Sequence, residues 1–148
     1  MPIEVIAHRG YSAERPENTI ASFDWALDSG FNLIELDIHQ TSDGALVVIH
    51  DESVDRTTDG TGFISELTLE NIKALDAGSW FAPHYSAQTV PTLEEILTRY
   101  FDRAHFFIEI KSVEEDLSAS LRQLIEKNGW IPRLSAVSYT HLTLPTKA

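Results

Sequence analysis

The sequence predicts an α/β fold, a parallel sheet with helices packed against it. The chain opens with an apolar strand, a helix and a second apolar strand, the unit from which such sheets are built. The residues that carry chemistry stand inside strands or just past their C-terminal ends, where α/β barrels place their active sites. One long polar, glycine-punctuated segment interrupts this alternation and reads as an insertion.

Ile3 to Ala7 is the first strand, and it ends at His8-Arg9-Gly10. A histidine and an arginine there, before a glycine that lets the backbone turn, make an anion site. The Arg9 guanidinium can grip two phosphate oxygens at once. After a polar stretch holding Pro16, Asn18 or Thr19 caps a helix running to about Ser29, with Gly30 as its stop. Ile20, Phe23 and Leu27 form its apolar stripe. Glu17, just before the helix, reads as a solvated charge of the cap region.

The chain is organised around Leu33-Ile34-Glu35-Leu36-Asp37-Ile38. As a strand it sends Ile34, Leu36 and Ile38 to one face and Leu33, Glu35 and Asp37 to the other. The two carboxylates lie roughly 6.7 Å apart along the strand. Beside such an apolar run they are costly unless a cation joins them, and a hard cation such as Mg²⁺ or Ca²⁺ would do so. Asp43-Gly44 is a hairpin dipeptide. A two-residue turn there sets Asp37 opposite His50, an imidazole beside a carboxylate, suited to general acid–base chemistry.

Residues 51–91 hold the polar run Asp55 to Gly62, a short helix near Thr68 to Leu75, and the aromatics Trp80, Phe81 and Tyr85. They read as a small subdomain over the mouth of the site. Gly60-Thr61-Gly62 reads as turn chemistry and the aromatics as packing. Thr92 with Glu95 makes a capping box for a helix through about Phe101. The strand His105 to Lys111 puts Phe106, Ile108 and Ile110 on one face and Phe107, Glu109 and Lys111 on the other, so again a carboxylate stands in an apolar strand. Ser112 with Glu115 opens a helix to Asn128, with Leu117, Leu121, Leu124 and Ile125 as its stripe and Gly129 as its close. Leu134 to Ser138 begins another strand. The pattern is lost over 139–148, whose His141 is not assigned to the site.

The 148 residues suffice for one domain with a core, and 43% hydrophobic with 23% charged content is ordinary for a globular protein. A net charge of −12 argues against a nucleic-acid or anionic-membrane surface, so an anionic substrate needs local cations. No cysteine is present, which excludes disulfides, thiol nucleophiles and thiolate metal sites. Neither a signal peptide nor a membrane span is legible, and a cytoplasmic location is the expectation.

His8-Arg9-Gly10, Pro16-Glu17-Asn18-Thr19, Glu35-x-Asp37, Asp43-Gly44, His50-Asp51, Asp55-Arg56-Thr57-Thr58-x-Gly60-x-Gly62, Pro91-Thr92-Leu93-x-Glu95 and Glu109-x-Lys111 occur in this order. The ordered set closely resembles the glycerophosphodiester phosphodiesterase family of the bacterial cytosolic kind, over about Ile3 to Ser138. The resemblance implies the N-terminal part of a TIM-type (β/α)8 barrel over 1–138, incomplete in this chain, with a small insertion at about 51–91 and an atypical tail at 139–148. It implies hydrolysis of glycerophosphodiesters to an alcohol and sn-glycerol 3-phosphate. It further implies that Glu35, Asp37 and Glu109 hold Ca²⁺ or Mg²⁺, that His8 and His50 are the general acid and base, and that Arg9 and Lys111 neutralise phosphate charge. A related phospholipase-type phosphodiesterase, or an inactive fragment of such an enzyme, is the alternative.

Overall fold

The computed structural model describes residues 2–111, 115–130 and 134–138. The strands are β1 (Ala7–His8), β2 (Leu33–Gln40), β3 (Leu46–Val48), β4 (His105–Ile110) and β5 (Leu134–Ser138). The α-helices are α1 (Ile20–Asp28), α2 (Leu69–Lys73), α3 (Leu93–Tyr100) and α4 (Glu115–Asn128). β1, β2, β4 and β5 lie side by side in that order and run parallel. β2 is the axis: β4 lines one edge, while β1 and then the antiparallel β3 share the other. Among the described residues no helix is long and apolar enough to cross a membrane.

Alternation along β2 and β4 divides the sheet into two unlike faces. Ile34, Leu36, Ile38, Phe106, Ile108 and Ile110 face one way and are sealed against α1, α3 and α4. Each such side chain is worth about 1.5–3 kcal/mol on burial, so this face holds the fold together. Glu35, Asp37, His39, Glu109 and Lys111 alternate with them and belong to the other face. A second apolar cluster joins Val47 and Ile49 of the hairpin to Val54, Ile64, Ile72, Ala77 and Val90. Residues 51–91 thus pack on the outer flank of β3, where Val48 N–H donates to the Pro91 carbonyl at 2.8 Å.

Thr19 and Thr92 cap α1 and α3 with reciprocal capping boxes, Thr19 with Ser22 and Thr92 with Glu95. Three expectations need correction. Ladder pairing in the first strand is confined to Ala7–His8, and Ile3, Val5 and Ile6 are exposed. The buried stripe of α1 is Ser22, Phe23 and Ala26, with Ile20 and Leu27 only partly covered. Gly10, at φ +76°, explains the rotation: a Cβ there would run into Ser22, so loop and helix touch backbone to side chain.

The third correction is the hairpin register. Ile38 pairs with Val48 and Gln40 with Leu46, and Thr41 N–H donates to the Ala45 carbonyl at 2.9 Å. The loop is therefore three residues, Ser42-Asp43-Gly44, with Gly44 left-handed at φ +85°. This one-residue slip sets Asp37 opposite Ile49, whose N–H donates to the Asp37 carbonyl at 3.0 Å, and not opposite His50. The capping box expected at Ser112 and the tail at 139–148 lie outside the described residues.

Candidate active site

Parallel pairing assembles an acidic centre from two strands that are distant in sequence. Asp37 of β2 stands directly beside Glu109 of β4, and His8 of β1 beside Glu35 of β2. Glu35, Asp37 and Glu109 each present a carboxylate oxygen, and the three oxygens lie within 4.8 Å of one another. Asp37 is fully buried. Its Oδ2 accepts from Asn18 Nδ2 at 3.0 Å and lies 3.6 Å from Arg9 Nε, while Lys111 Nζ approaches Oδ1 at 3.8 Å. Lys111 Nζ also donates to Glu109 Oε1 at 2.9 Å. His8 Nε2 lies 3.6 Å from Glu35 Oε2, on a largely exposed ring.

The electrostatics of this centre are unbalanced. Three carboxylates face two cations, Arg9 and Lys111, which leaves a net negative charge. Buried Glu35 Oε1 and Asp37 Oδ1 have no hydrogen-bond partner, a costly state for carboxylate oxygens. Burial, and then the neighbouring Asp37 carboxylate, push the Glu35 carboxyl up to about 8. The centre thus takes up a proton where it lacks positive charge. A divalent cation suits it better, because all three donors are hard oxygens and the net charge would become positive, matching one phosphodiester anion.

The local backbone serves this geometry. Arg9 and Asn18 are left-handed, at φ 58° and 55°, a conformation that asparagine tolerates and that a long side chain such as Arg9 adopts only rarely. The turn at Arg9 aims its N–H at Glu35 Oε2 at 3.1 Å, while the same N–H keeps the ladder bond to the Glu35 carbonyl.

His50 is tied to a second set of charges. Its Nδ1 lies 2.7 Å from Asp51 Oδ1. Arg56, and in lesser measure His50, hold the Asp51 carboxyl well below the usual carboxylate range against the opposing effect of burial. Asp51 is therefore ionised and can only accept, so His50 Nδ1 carries the hydrogen. Arg56 also binds Glu17, which in turn accepts from Arg9 Nη1 at 3.1 Å. Asp37, Arg9, Glu17, Arg56, Asp51 and His50 are thus joined in one chain of ion pairs and hydrogen bonds. His39 Nε2–H donates to the His50 carbonyl at 2.9 Å.

The structure gathers Glu35, Asp37, Glu109, Arg9, Lys111 and His8 into one connected cluster, His8 joining it through Glu35, and links His50 to it through the ion-pair chain. Glu17 is not the solvated charge the sequence suggests: its side chain is only 9% exposed, between two arginines. Asn18, Asp51, Arg56 and His39 were not expected as members of the site. His39 was findable, because it continues the Glu35, Asp37 alternation. Arg56 stands in a quoted motif, but its pairing with Glu17, 39 positions away, was not legible.

The model of the glycerophosphoryl diester phosphodiesterase family matches residues 8–136. A glycerophosphodiester phosphodiesterase of Bacillus subtilis is 46% identical over 135 residues, covering 82% of this chain and 46% of its own length. One of Caldanaerobacter subterraneus is 44% identical over 144 residues, covering 95% of this chain and 59% of its own length. The chain thus spans about half the length of the curated relatives it matches. The crystal structure of a glycerophosphodiester phosphodiesterase from Agrobacterium tumefaciens superposes with a TM-score of 0.88 at 37% identity, covering 94% of this chain and 59% of that one. An Oleispira antarctica phosphodiesterase in complex with the product sn-glycerol-3-phosphate gives 0.83 at 34%, covering 94% and 58%. The parallel sheet is accordingly that of a TIM-type barrel, present here as its N-terminal part. The chain belongs to the glycerophosphoryl diester phosphodiesterase family.

Proposed function

We propose that this chain carries the acidic centre and both histidines of an enzyme that hydrolyses glycerophosphodiesters to an alcohol and sn-glycerol 3-phosphate. The observation that carries the proposal is the acidic centre itself: three carboxylates with oxygens within 4.8 Å of one another, two of their oxygens without a hydrogen-bond partner, and Arg9 and Lys111 at its rim. Family membership, and a neighbour that holds sn-glycerol-3-phosphate as product, support the substrate class.

Glu35, Asp37 and Glu109 would hold Mg²⁺ or Ca²⁺, which when bound stabilises the charge developing on the phosphate oxygens. Arg9 and Lys111 neutralise further phosphate charge. One of His8 and His50 takes the proton of the attacking group as the new O–P bond forms, that group being water, or a glycerol hydroxyl whose cyclic phosphate is then opened by water. The other protonates the alkoxide as the old O–P bond breaks. The domain division belongs to the same reading, with the barrel part over 1–138, an insertion at about 51–91 and a separate tail. So does a small-molecule substrate met in the cytoplasm.

Incubation with glycerophosphocholine or glycerophosphoethanolamine, followed by assay of released sn-glycerol 3-phosphate, tests the proposal. Release should require Mg²⁺ or Ca²⁺, stop on chelation and be lost in Asp37→Ala. Undiminished turnover in Asp37→Ala would overturn the role of the acidic centre.

A further inference from the structure

We infer that Arg56, reaching in from the 51–91 segment, is a positioning residue that fixes the tautomer of His50 through Asp51. The inference rests on the phosphodiesterase reading only in treating the His50 ring as catalytic.

The Asp51 side chain is 30% exposed, and alone it would turn freely into water. Arg56 takes both of its oxygens, Nε donating to Oδ2 at 2.8 Å and Nη2 to Oδ1 at 3.0 Å. The same guanidinium takes both oxygens of Glu17, Nη1 donating to Oε1 at 2.7 Å and Nη2 to Oε2 at 3.1 Å. Glu17 is itself held by Arg9. The planar fork is therefore clamped from two sides, a geometry that a lysine ammonium cannot reproduce.

Asp51 Oδ1, set in place this way, receives the Nδ1–H of His50. With the hydrogen on Nδ1, Nε2 is the nitrogen left to take or give a proton, the same logic by which a buried aspartate orients a catalytic imidazole elsewhere. The ring's backbone is fixed independently by the His39 bond to its carbonyl. Merely pinning the 51–91 segment would not need this arrangement. That segment has its own apolar cluster of Val54, Ile64, Ile72, Ala77 and Val90, so it should stay folded without Arg56.

Ring ¹⁵N chemical shifts of His50, measured with the imidazole neutral and assigned by comparison with His50→Gln, report the tautomer directly. The wild-type chain should show Nδ1–H. In Arg56→Gln and Arg56→Lys the ratio of Nδ1–H to Nε2–H should fall about tenfold, the worth of one charge-assisted hydrogen bond. Glu17→Gln, which loosens only the second anchor, should lower it by about threefold and serves if an Arg56 variant does not fold. In turnover, kcat of Arg56→Gln should drop about tenfold with KM within about twofold, since Arg56 does not touch the acidic centre and reaches its flanking cation Arg9 only through Glu17. An unmoved ratio in a folded Arg56→Gln or Glu17→Gln overturns the inference. The spectrum needs no turnover. A wild-type chain that hydrolyses nothing but shows Nδ1–H, with variants that show the expected loss of it, would remove the phosphodiesterase reading and leave the positioning role standing.

Discussion

The two faces of one sheet are built from the same residues' neighbours and do opposite things. On β2 and β4, Ile34, Leu36, Ile38, Phe106, Ile108 and Ile110 are buried against helices. One position away on the same backbone, Glu35, Asp37 and Glu109 crowd three carboxylates into a space where two oxygens find no hydrogen-bond partner. The first face supplies stability and the second opposes it. A strand has no freedom to place such charges elsewhere once its apolar face is fixed, because the side-chain period is two. The charged face is thus held by the apolar one, and substitutions on the two faces should separate stability from chemistry.

The largest expected effect on folding lies on the apolar face. Phe106→Ala should lower unfolding stability by about 3–5 kcal/mol, as for a fully buried aromatic. Glu109→Gln, three positions along the same strand, should leave the metal-free chain within about 1 kcal/mol of wild type, since it removes repulsion together with one Lys111 partner. Denaturant titration of both variants checks the contrast. Equal losses would mean that the charged face is structural.

His8→Ala reverses the pattern. The ring is mostly exposed and projects from a two-residue strand. Its loss should change stability by no more than about 0.5 kcal/mol, the usual range for a surface site. The hydrolytic rate should drop about 10²–10⁴-fold. A variant that melts earlier but turns over normally would assign His8 to the fold.

A smaller effect concerns acid. Burial works to raise the Glu17 carboxyl, but Arg56 and Arg9 outweigh it and hold it low, and Arg56 holds Asp51 low as well. Carboxyls with depressed folded values contribute stability above their unfolded values, near 4.5 and 3.8, and lose it as the pH falls below them. The melting temperature of the wild type should therefore fall more steeply below about pH 4.5 than that of Arg56→Gln. Parallel curves would show that the clamp adds nothing to the fold.

How much of this was legible follows the range of the interactions. Glu35-x-Asp37 and Glu109-x-Lys111 stand out because a carboxylate inside an apolar strand is anomalous by itself. That Asp37 would stand beside Glu109 depends on the register of parallel strands joined by a long crossover, which no local pattern encodes. The hairpin failed for a local reason: Asp43-Gly44 suits a two-residue turn, but Asp43 also accepts from Thr41 Oγ1 at 2.6 Å and from Leu69 N–H at 3.0 Å, and these fit the three-residue loop that is present. The α1 stripe was misread because Ser22 is a packing residue here, pressed against Gly10, and hydropathy ranks it as surface. The family motifs contain Glu17 and Arg56 as well as His50 and Asp51, but the pairing of Arg56 with Glu17 is not written in either motif and exists only once the 51–91 segment has folded.

Calorimetric titration of the chain and its Asp37→Asn variant with Mg²⁺ and with Ca²⁺ probes the cation centre without any need for turnover. The wild type should bind one cation, and saturation at about a hundred times the dissociation constant should stabilise it by about 2.7 kcal/mol against thermal unfolding. Asp37→Asn should lose both the binding heat and the stabilisation. Binding of equal strength in that variant, or no binding in the wild type, would contradict the assignment of Glu35, Asp37 and Glu109 as a cation centre.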